Sequence, residues 1–248
     1  MKKRLFAIVL AVLIVLPFIA SASAADTEST VAVTLKLEAV DGTAAVANKA
    51  GKKLTITKSM KLFNGYSVAT AAESYAYLNL DNTKAVKMDA SSKIELRESG
   101  KKLEALLKSG NLFFNVSKPL EEGESLNIRT STMVAGIRGT SGWVNVIDSK
   151  TTEIHMLTGS VELTCTDPVT GEVTTETVSA GEVATLTVEE AAPVNINSDI
   201  TIEIYTEEVV PGYVAQAIKS DAELQELITE ETALSVPVII GSADEKLA

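Results

Sequence analysis

The sequence predicts a mainly β protein, an antiparallel β-sandwich or rolled sheet, with a small acidic C-terminal part containing one or two helices. Three observations carry this. From Val31 to Val188 apolar and polar residues alternate with period two and β-formers dominate, which places successive side chains on opposite faces of a strand. Glycine- and Asx-containing turns punctuate that pattern at short intervals. After Leu186 both the periodicity and the charge change.

The chain opens with Lys2, Lys3 and Arg4, continues through an apolar run from Leu5 to Ile19 broken only by Pro17, and reaches Ala22-Ser23-Ala24. These are the basic, apolar and small-residue regions of a secretory signal peptide. Residues 1–25 are therefore expected to be removed, with cleavage after Ala24 or Ala25. The run is shorter than the roughly 20 residues of a spanning helix, so no membrane span is expected after cleavage. No cysteine lies near the cleavage point to carry a lipid. The mature chain is expected to be exported, to the periplasm or the cell exterior.

The strands follow in order: VAVTLKLEAV (31–40), YAYLNL (75–80), KIEL (93–96), NLFFNV (111–116), SLNIRT (125–130), WVNV (143–146), EIHML (153–157), VELTCT (161–166) and VATLTV (183–188). Between them stand Asp41-Gly42, Asn64-Gly65, Asp81-Asn82, Ser99-Gly100, Asp167-Pro168 and Thr170-Gly171, all turn formers. KKLEALLK (101–108) fits a helical turn or a strand. LKSGNL (107–112), LTGSV (157–161) and VSAGEV (178–183) repeat one motif, an apolar strand end, a glycine and the next strand. Without a strict period, a rolled sheet with chemically similar corners fits better than a regular solenoid.

Beyond residue 190 IEIYTEEVV (202–210) reads as one more strand, stopped by Pro211-Gly212. Two helical segments follow. Val214, Ala217 and Ile218 share a face of the first; the second opens with Ser220 and Glu223 in capping-box spacing and stacks Leu224, Leu227 and Ile228. ALSVPVIIG (233–241), apolar with an internal proline, is expected as an edge strand or docking segment. The expected organisation is a signal peptide (1–25), a β domain (26–190) and an acidic mixed strand/helix extension (191–248).

The formal charge is −11, or −14 without Lys2, Lys3 and Arg4. It is uneven: Asp26 to Thr185 carries 20 acidic and 17 basic residues, and Leu186 onward 13 acidic and 2 basic. Such a chain is a poor match for nucleic acid. Cys165 is the only cysteine, so stability must come from packing rather than an internal disulfide.

Residues that could carry catalysis are sparse. His155 is the sole histidine; in EIHML it shares a face with Glu153 and is expected to look into solvent. Cys165, on the face of Val161 and Leu163, reads as a small core residue. No metalloprotease, phosphate-loop, nucleophile-elbow or calcium-loop pattern occurs. The clusters Glu121-Glu122-Gly123-Glu124 and Glu207-Glu208 lack the alternating spacing of a calcium loop. With aromatics at 4%, a stacking platform for sugars or bases is also thin. No catalytic residue, metal or cofactor is expected, and the protein is read as a non-enzyme.

One stretch remains, AGIRGTSGWVNV (135–146). Gly136 and Gly139 permit backbone angles closed to other residues, Thr140 can bond the local backbone, and Arg138 offers a planar donor fork. A structural corner is the preferred reading, with Gly136 and Gly139 forming it. Arg138, Thr140 and Trp143 are the residues to consider for partner binding, and Trp143 lies on the face opposite Val144 and Val146.

At these residues the chain resembles a FecR-type domain, the extracytoplasmic β-domain first named for the bacterial iron-citrate signal transducer. The resemblance runs from about Val40 to Val188. It begins with AVDGTAAV and continues through LFNGYSVATAAESYAYLNLDNTKAVKMDASSKIEL. LLKSGNLFFNV, IRTSTMVAGIRGT and LTGSVEL follow in the family's order, and Arg129-Thr130 with Arg138-Gly139-Thr140 are the most specific pieces. The family commonly has Phe two residues beyond the threonine, where this chain has Gly142 beside Trp143. The transducers also carry a cytoplasmic segment that handles a sigma factor, whereas only Met1 to Arg4 precedes the apolar run here. The resemblance thus implies the domain without the direct anti-sigma role. It leaves a binding or scaffolding module with a protein or polysaccharide partner in the cell envelope, or a sensor subunit working with a separate membrane partner.

Overall fold

The computed structural model describes residues 35–81, 83–166, 171, 173–188, 200–243 and 245; the expected signal peptide lies outside them. The described strands divide between two layers. Sheet A runs, in spatial order, β4 (Met60–Lys61), β1 (Lys36–Asp41), β6 (Tyr75–Asp81), β7 (Lys84–Met88), the second half of β9 (Lys102–Val116), β12 (Ser141–Val146), β13 (Thr151–Thr158), β16 (Glu182–Thr187) and β17 (Ile200–Ile204). Sheet B runs β3 (Lys53–Leu54), β2 (Ala44–Ala47), β5 (Ser67–Thr70), β8 (Lys93–Ser99), the first half of β9, β10 (Ser125–Arg129), β11 (Val134–Ile137), β14 (Ser160–Thr166) and β15 (Val173–Ser179). Every pairing is antiparallel except β9 with β10. The antiparallel sandwich read from the alternation is the fold observed, and KKLEALLK is strand.

The period-two pattern builds the core. Leu112 and Phe114 of β9, Val144 of β12 and Ile154 and Met156 of β13 face Ile94, Leu126, Ile128, Ala135 and Leu163 of sheet B, all essentially inaccessible. Each such aliphatic side chain contributes about 1.5–3 kcal/mol on burial. Cys165 joins this core, as its position predicted.

The glycine echo marks the places where the chain changes sheets. In LKSGNL, β9 passes from sheet B to sheet A at Gly110 (φ +78°), where a Cβ would fall 2.3 Å from Ser92 Oγ. In LTGSV, Gly159 carries β13 of sheet A into β14 of sheet B. In VSAGEV, Gly181 returns β15 of sheet B to β16 of sheet A. All three have positive φ. A corner between stacked layers asks the backbone for a left-handed residue, which glycine supplies without a side-chain clash.

The C-terminal part lies on the outer surface of sheet A. Strand β17 extends that sheet from β16, though it ends at Ile204, and Glu207–Val209 forms a single 3-10 turn where the sequence reading continued the strand. Helices α1 (Gly212–Lys219), α2 (Ala222–Glu231) and α3 (Val236–Gly241) follow. Val214 and Ile218 of α1 and Leu224 and Ile228 of α2 are buried; Leu227 is half out. The cap of α2 is Asp221, whose Oδ1 accepts from Leu224 N at 3.0 Å, rather than Ser220, which closes α1. VPVIIG is helix, not edge strand: its proline sits in the first turn, where no N–H is needed, and Val236 and Ile239 face inward.

These helices form a second core with side chains that point outward from sheet A: Phe113 of β9, Trp143 of β12 and Leu157 of β13. Lys87 of β7 is also covered. It donates to Tyr213 O at 2.8 Å and Gln216 Oε1 at 3.2 Å and stands over the rings of Tyr75 and Tyr77. Burial pushes its ammonium down to about 8, against the pull of Asp89 and Asp41.

Candidate functional site

The stretch from Ala135 to Val146 is divided by the fold among three environments. Ala135 to Ile137 belong to β11 in sheet B, and Ser141 to Val146 to β12 in sheet A. Arg138, Gly139 and Thr140 turn the corner. Gly139 is where the conformation is demanded: φ is +81° and a Cβ would come within 3.1 Å of Pro119 Cα.

Gly136 is not part of the corner. It is an ordinary strand residue without positive φ, and a Cβ there would meet nothing closer than Glu162 O at 3.7 Å. Gly142 is the sterically required one: a Cβ would lie 2.3 Å from His155 O and 3.0 Å from Phe114 Cζ. That close approach, at a bulge in the β12–β13 ladder, accounts for the glycine where the family commonly has Phe two residues beyond the threonine.

Thr140 is buried; its carbonyl accepts from Val116 N at 3.1 Å, but its Oγ1 has no partner among the described residues. It packs through Cγ2 against the next corner, at Gly159. The hydroxyl that ties the corner down is that of Ser141, which donates to Asn115 Oδ1 at 2.7 Å. Asn115 in turn donates to Asp221 Oδ2 at 3.0 Å, the residue that caps α2. Gly159 N donates to Glu231, at the other end of α2, and Tyr205 N donates to Gly181 O. Three sheet-changing corners therefore hold the helical cap.

Trp143 is only 2% exposed. The face assigned to it is right, but that face is covered, so it is a packing residue rather than a surface contact. It stacks on His155 at 4.3 Å with the planes 7° apart, and Tyr205 stands edge-on to both. His155 thus lies beside Glu153, as predicted, but buried rather than in solvent, with Nε2 at 3.3 Å from Glu153 Oε2. Burial lowers its pKa below 6.5, with Glu153 opposing. This aromatic trio comes from β12, β13 and the residue that follows β17; only the shared outward face of Trp143 and His155 foretold it.

Arg138 alone of the three partner-binding candidates reaches solvent, and it makes no hydrogen bond or ion pair among the described residues. It stands on the rim of a cleft of about 650 Å3 on the outer face of sheet B. The cleft floor is the row Asn127–Gly136–Glu162 across β10, β11 and β14. Its wall is the loop from Pro119 to Glu124, so the acidic cluster EEGE joins the glycine-arginine stretch. Gly136 keeps the floor open. The antiparallel β10–β11 hairpin sets these segments side by side, with Leu126 opposite Ile137.

The same face continues as a polar lattice. Arg97 pairs with Glu95 and Glu104, Glu104 with Arg129 at 2.9 Å, and Lys108 with Glu95. Among the described residues no group of three or more His, Cys, Asp or Glu side chains is placed to hold a metal ion. Cys165, in the core, has its thiol pushed up to about 11 by burial, with Glu176 adding to the shift.

Fold and face together define a two-layer β-domain with one outer face capped and the other open. Residues 66–162 match the family model described as FecR protein, so this span, from β5 to the start of β14, is a FecR-type domain, and the resemblance read from the sequence is shown there. No curated protein matches the chain. Among solved structures, crystal structures at 1.65 and 2.50 Å resolution described as "a putative anti-sigma factor from Parabacteroides distasonis" match with TM-scores of 0.43 and 0.42 at 18% identity. The alignment covers 56% of this chain and 59% of that one.

Proposed function

We propose that this chain is an exported, non-catalytic binding or scaffolding module of the cell envelope that offers the outer face of sheet B to a protein or polysaccharide partner. The observation that carries the reading is the opening at Gly136: a strand position with room for a side chain but none present, rimmed by an unpaired Arg138. The settings of His155 and Cys165 support the non-catalytic part. His155 is stacked under Trp143 on one sheet, and Cys165 is sealed in the core with a high-pKa thiol. Among the described residues no helix is long and apolar enough to cross a membrane.

The test is paired capture from an envelope fraction and a glycan array, using the native chain, Gly136→Val and Arg138→Ala. Valine suits a strand and fills the floor without strain, so it should abolish capture while the thermal midpoint stays unchanged. Undiminished capture by both variants, or a hydrolytic activity lost on His155→Ala, would overturn the reading.

The FecR-type span favours a second form of this function, a sensor subunit signalling through a separate membrane partner. A neighbouring gene for a sigma factor, histidine kinase or outer-membrane receptor, followed by co-purification of its product with the native chain, supports it; co-purification failing for every such neighbour removes it.

A further inference from the structure

The open face of sheet B is charged with opposite signs at its two ends. At one end a cleft of about 730 Å3, over β5, β8 and β9, is lined by Lys49, Lys93, Arg97 and Lys108 with a single acid, Glu95. At the other end the cleft over β11 and β14 is lined by Glu121, Glu122, Glu124 and Glu162 with a single base, Arg138. Net formal charges are thus +3 and −3 on one surface. The strands β8, β9, β10, β11 and β14 are successive neighbours, so β8 and β11, the middle strands of the two clefts, stand three strand spacings apart, about 14 Å. Lys49, Lys93, Glu122 and Glu162 are exposed and carry no ion pair among the described residues.

Asp26 to Thr185 carries 20 acidic and 17 basic residues, yet on this face the bases gather at one end and the acids at the other. The geometry points to a second copy of this chain as the occupant of the face. Two copies placed face to face about a two-fold axis, set perpendicular to the line joining the patches, put each basic end on the partner's acidic end. Such an isologous contact forms both complementary pairs at once. A polyanion would satisfy only the basic end and meet the acidic one. Between the ends, Glu104 and Arg129 already neutralise one another, leaving the middle of the interface uncharged on balance.

This inference rests on the reading of sheet B as the docking face and names its partner. Light scattering coupled to size exclusion, with sedimentation equilibrium for the constant, tests it on the mature chain and two double variants. Lys93→Glu with Lys108→Glu makes both ends acidic; Glu121→Lys with Glu162→Lys makes both ends basic. The native chain should be a dimer that weakens as salt is raised. Each variant alone should be monomeric, with self-association weakened about 100-fold by like charges facing one another. An equimolar mixture of the two variants should recover the dimer, since each acidic end then meets a basic one. Recovery also shows that neither variant is unfolded, which circular dichroism confirms.

A monomeric native chain, dimers that persist in both variants, or a mixture that stays monomeric overturns self-docking. If in those cases Gly136→Val still abolishes capture of another envelope component, the docking-face reading stands without it. If neither dimer nor Gly136-dependent capture is found, both fall.

Discussion

The two outer faces of this sandwich are built from the same alternating pattern, yet they have opposite fates. On sheet A the outward positions of β9, β12 and β13 are Phe113, Trp143 and Leu157, and three helices cover them. On sheet B the outward positions of β8, β9 and β10 are Arg97, Glu104, Asn127 and Arg129, and among the described residues no element covers them. Substituting a few outward residues is enough to decide whether a β-layer recruits a cap or remains a surface. The capped face contributes apolar burial and the open face exposes charge.

The largest test of that division is Trp143→Ala. It empties the centre of the second core, so a loss of about 3–5 kcal/mol is expected in urea denaturation. A loss below about 1 kcal/mol would mean the cap is not held by packing. Next comes the sign of the pH response. Lys87 is lowered to about 8 by burial, below its ordinary 10.5. Between those values the unfolded chain binds a proton that the folded chain has released, so stability rises with pH. The thermal midpoint should climb from about pH 8 to 9.5, below the range of Tyr205 and Tyr213, whose hydroxyls burial raises. Lys87→Met should flatten that rise; an unchanged slope would show that another group governs it.

A smaller effect belongs to the helix cap. Asp221→Ala removes both the Leu224 N acceptor and the contact with Asn115, and about 1 kcal/mol should be lost by the same denaturation assay. The smallest belongs to the open face. Arg129→Ala breaks a half-buried pair with Glu104 at the protein surface, and surface pairs contribute about 0–1 kcal/mol. A larger cost than that of Asp221→Ala would reverse the assignment of stability to the capped side.

Much of this was legible in the sequence. Alternation placed most of the longer strands, though not β2, β3, β4, β5, β7, β11 or β15, and sorted Val144 from Trp143; the recurrence of LKSGNL, LTGSV and VSAGEV marks the corners that move the chain between sheets. The candidate site was less so. Arg138, Thr140 and Trp143 are near neighbours in sequence, but strand alternation and a sheet change scatter them to surface, corner and core. Conversely, Arg138 and the Pro119–Glu124 loop line one cleft because the β10–β11 hairpin sets the segment before β10 beside the segment after β11. ALSVPVIIG docks into the second core as a helix rather than pairing as an edge strand; an apolar run with a proline fits either an edge strand or a helix start, and only the neighbouring elements decide.

Strand β9 serves both layers, entering at Lys102 in sheet B and leaving at Val116 in sheet A. A single covalent segment thus lies at the centre of each hydrogen-bonded ladder, and neither layer can lose its middle rung while the other keeps its own. Melting should accordingly be one event, with calorimetric and van't Hoff enthalpies equal for the folded unit. Amide hydrogens at Leu107 and Leu112, on opposite sides of the Gly110 crossing, should exchange with the same opening free energy.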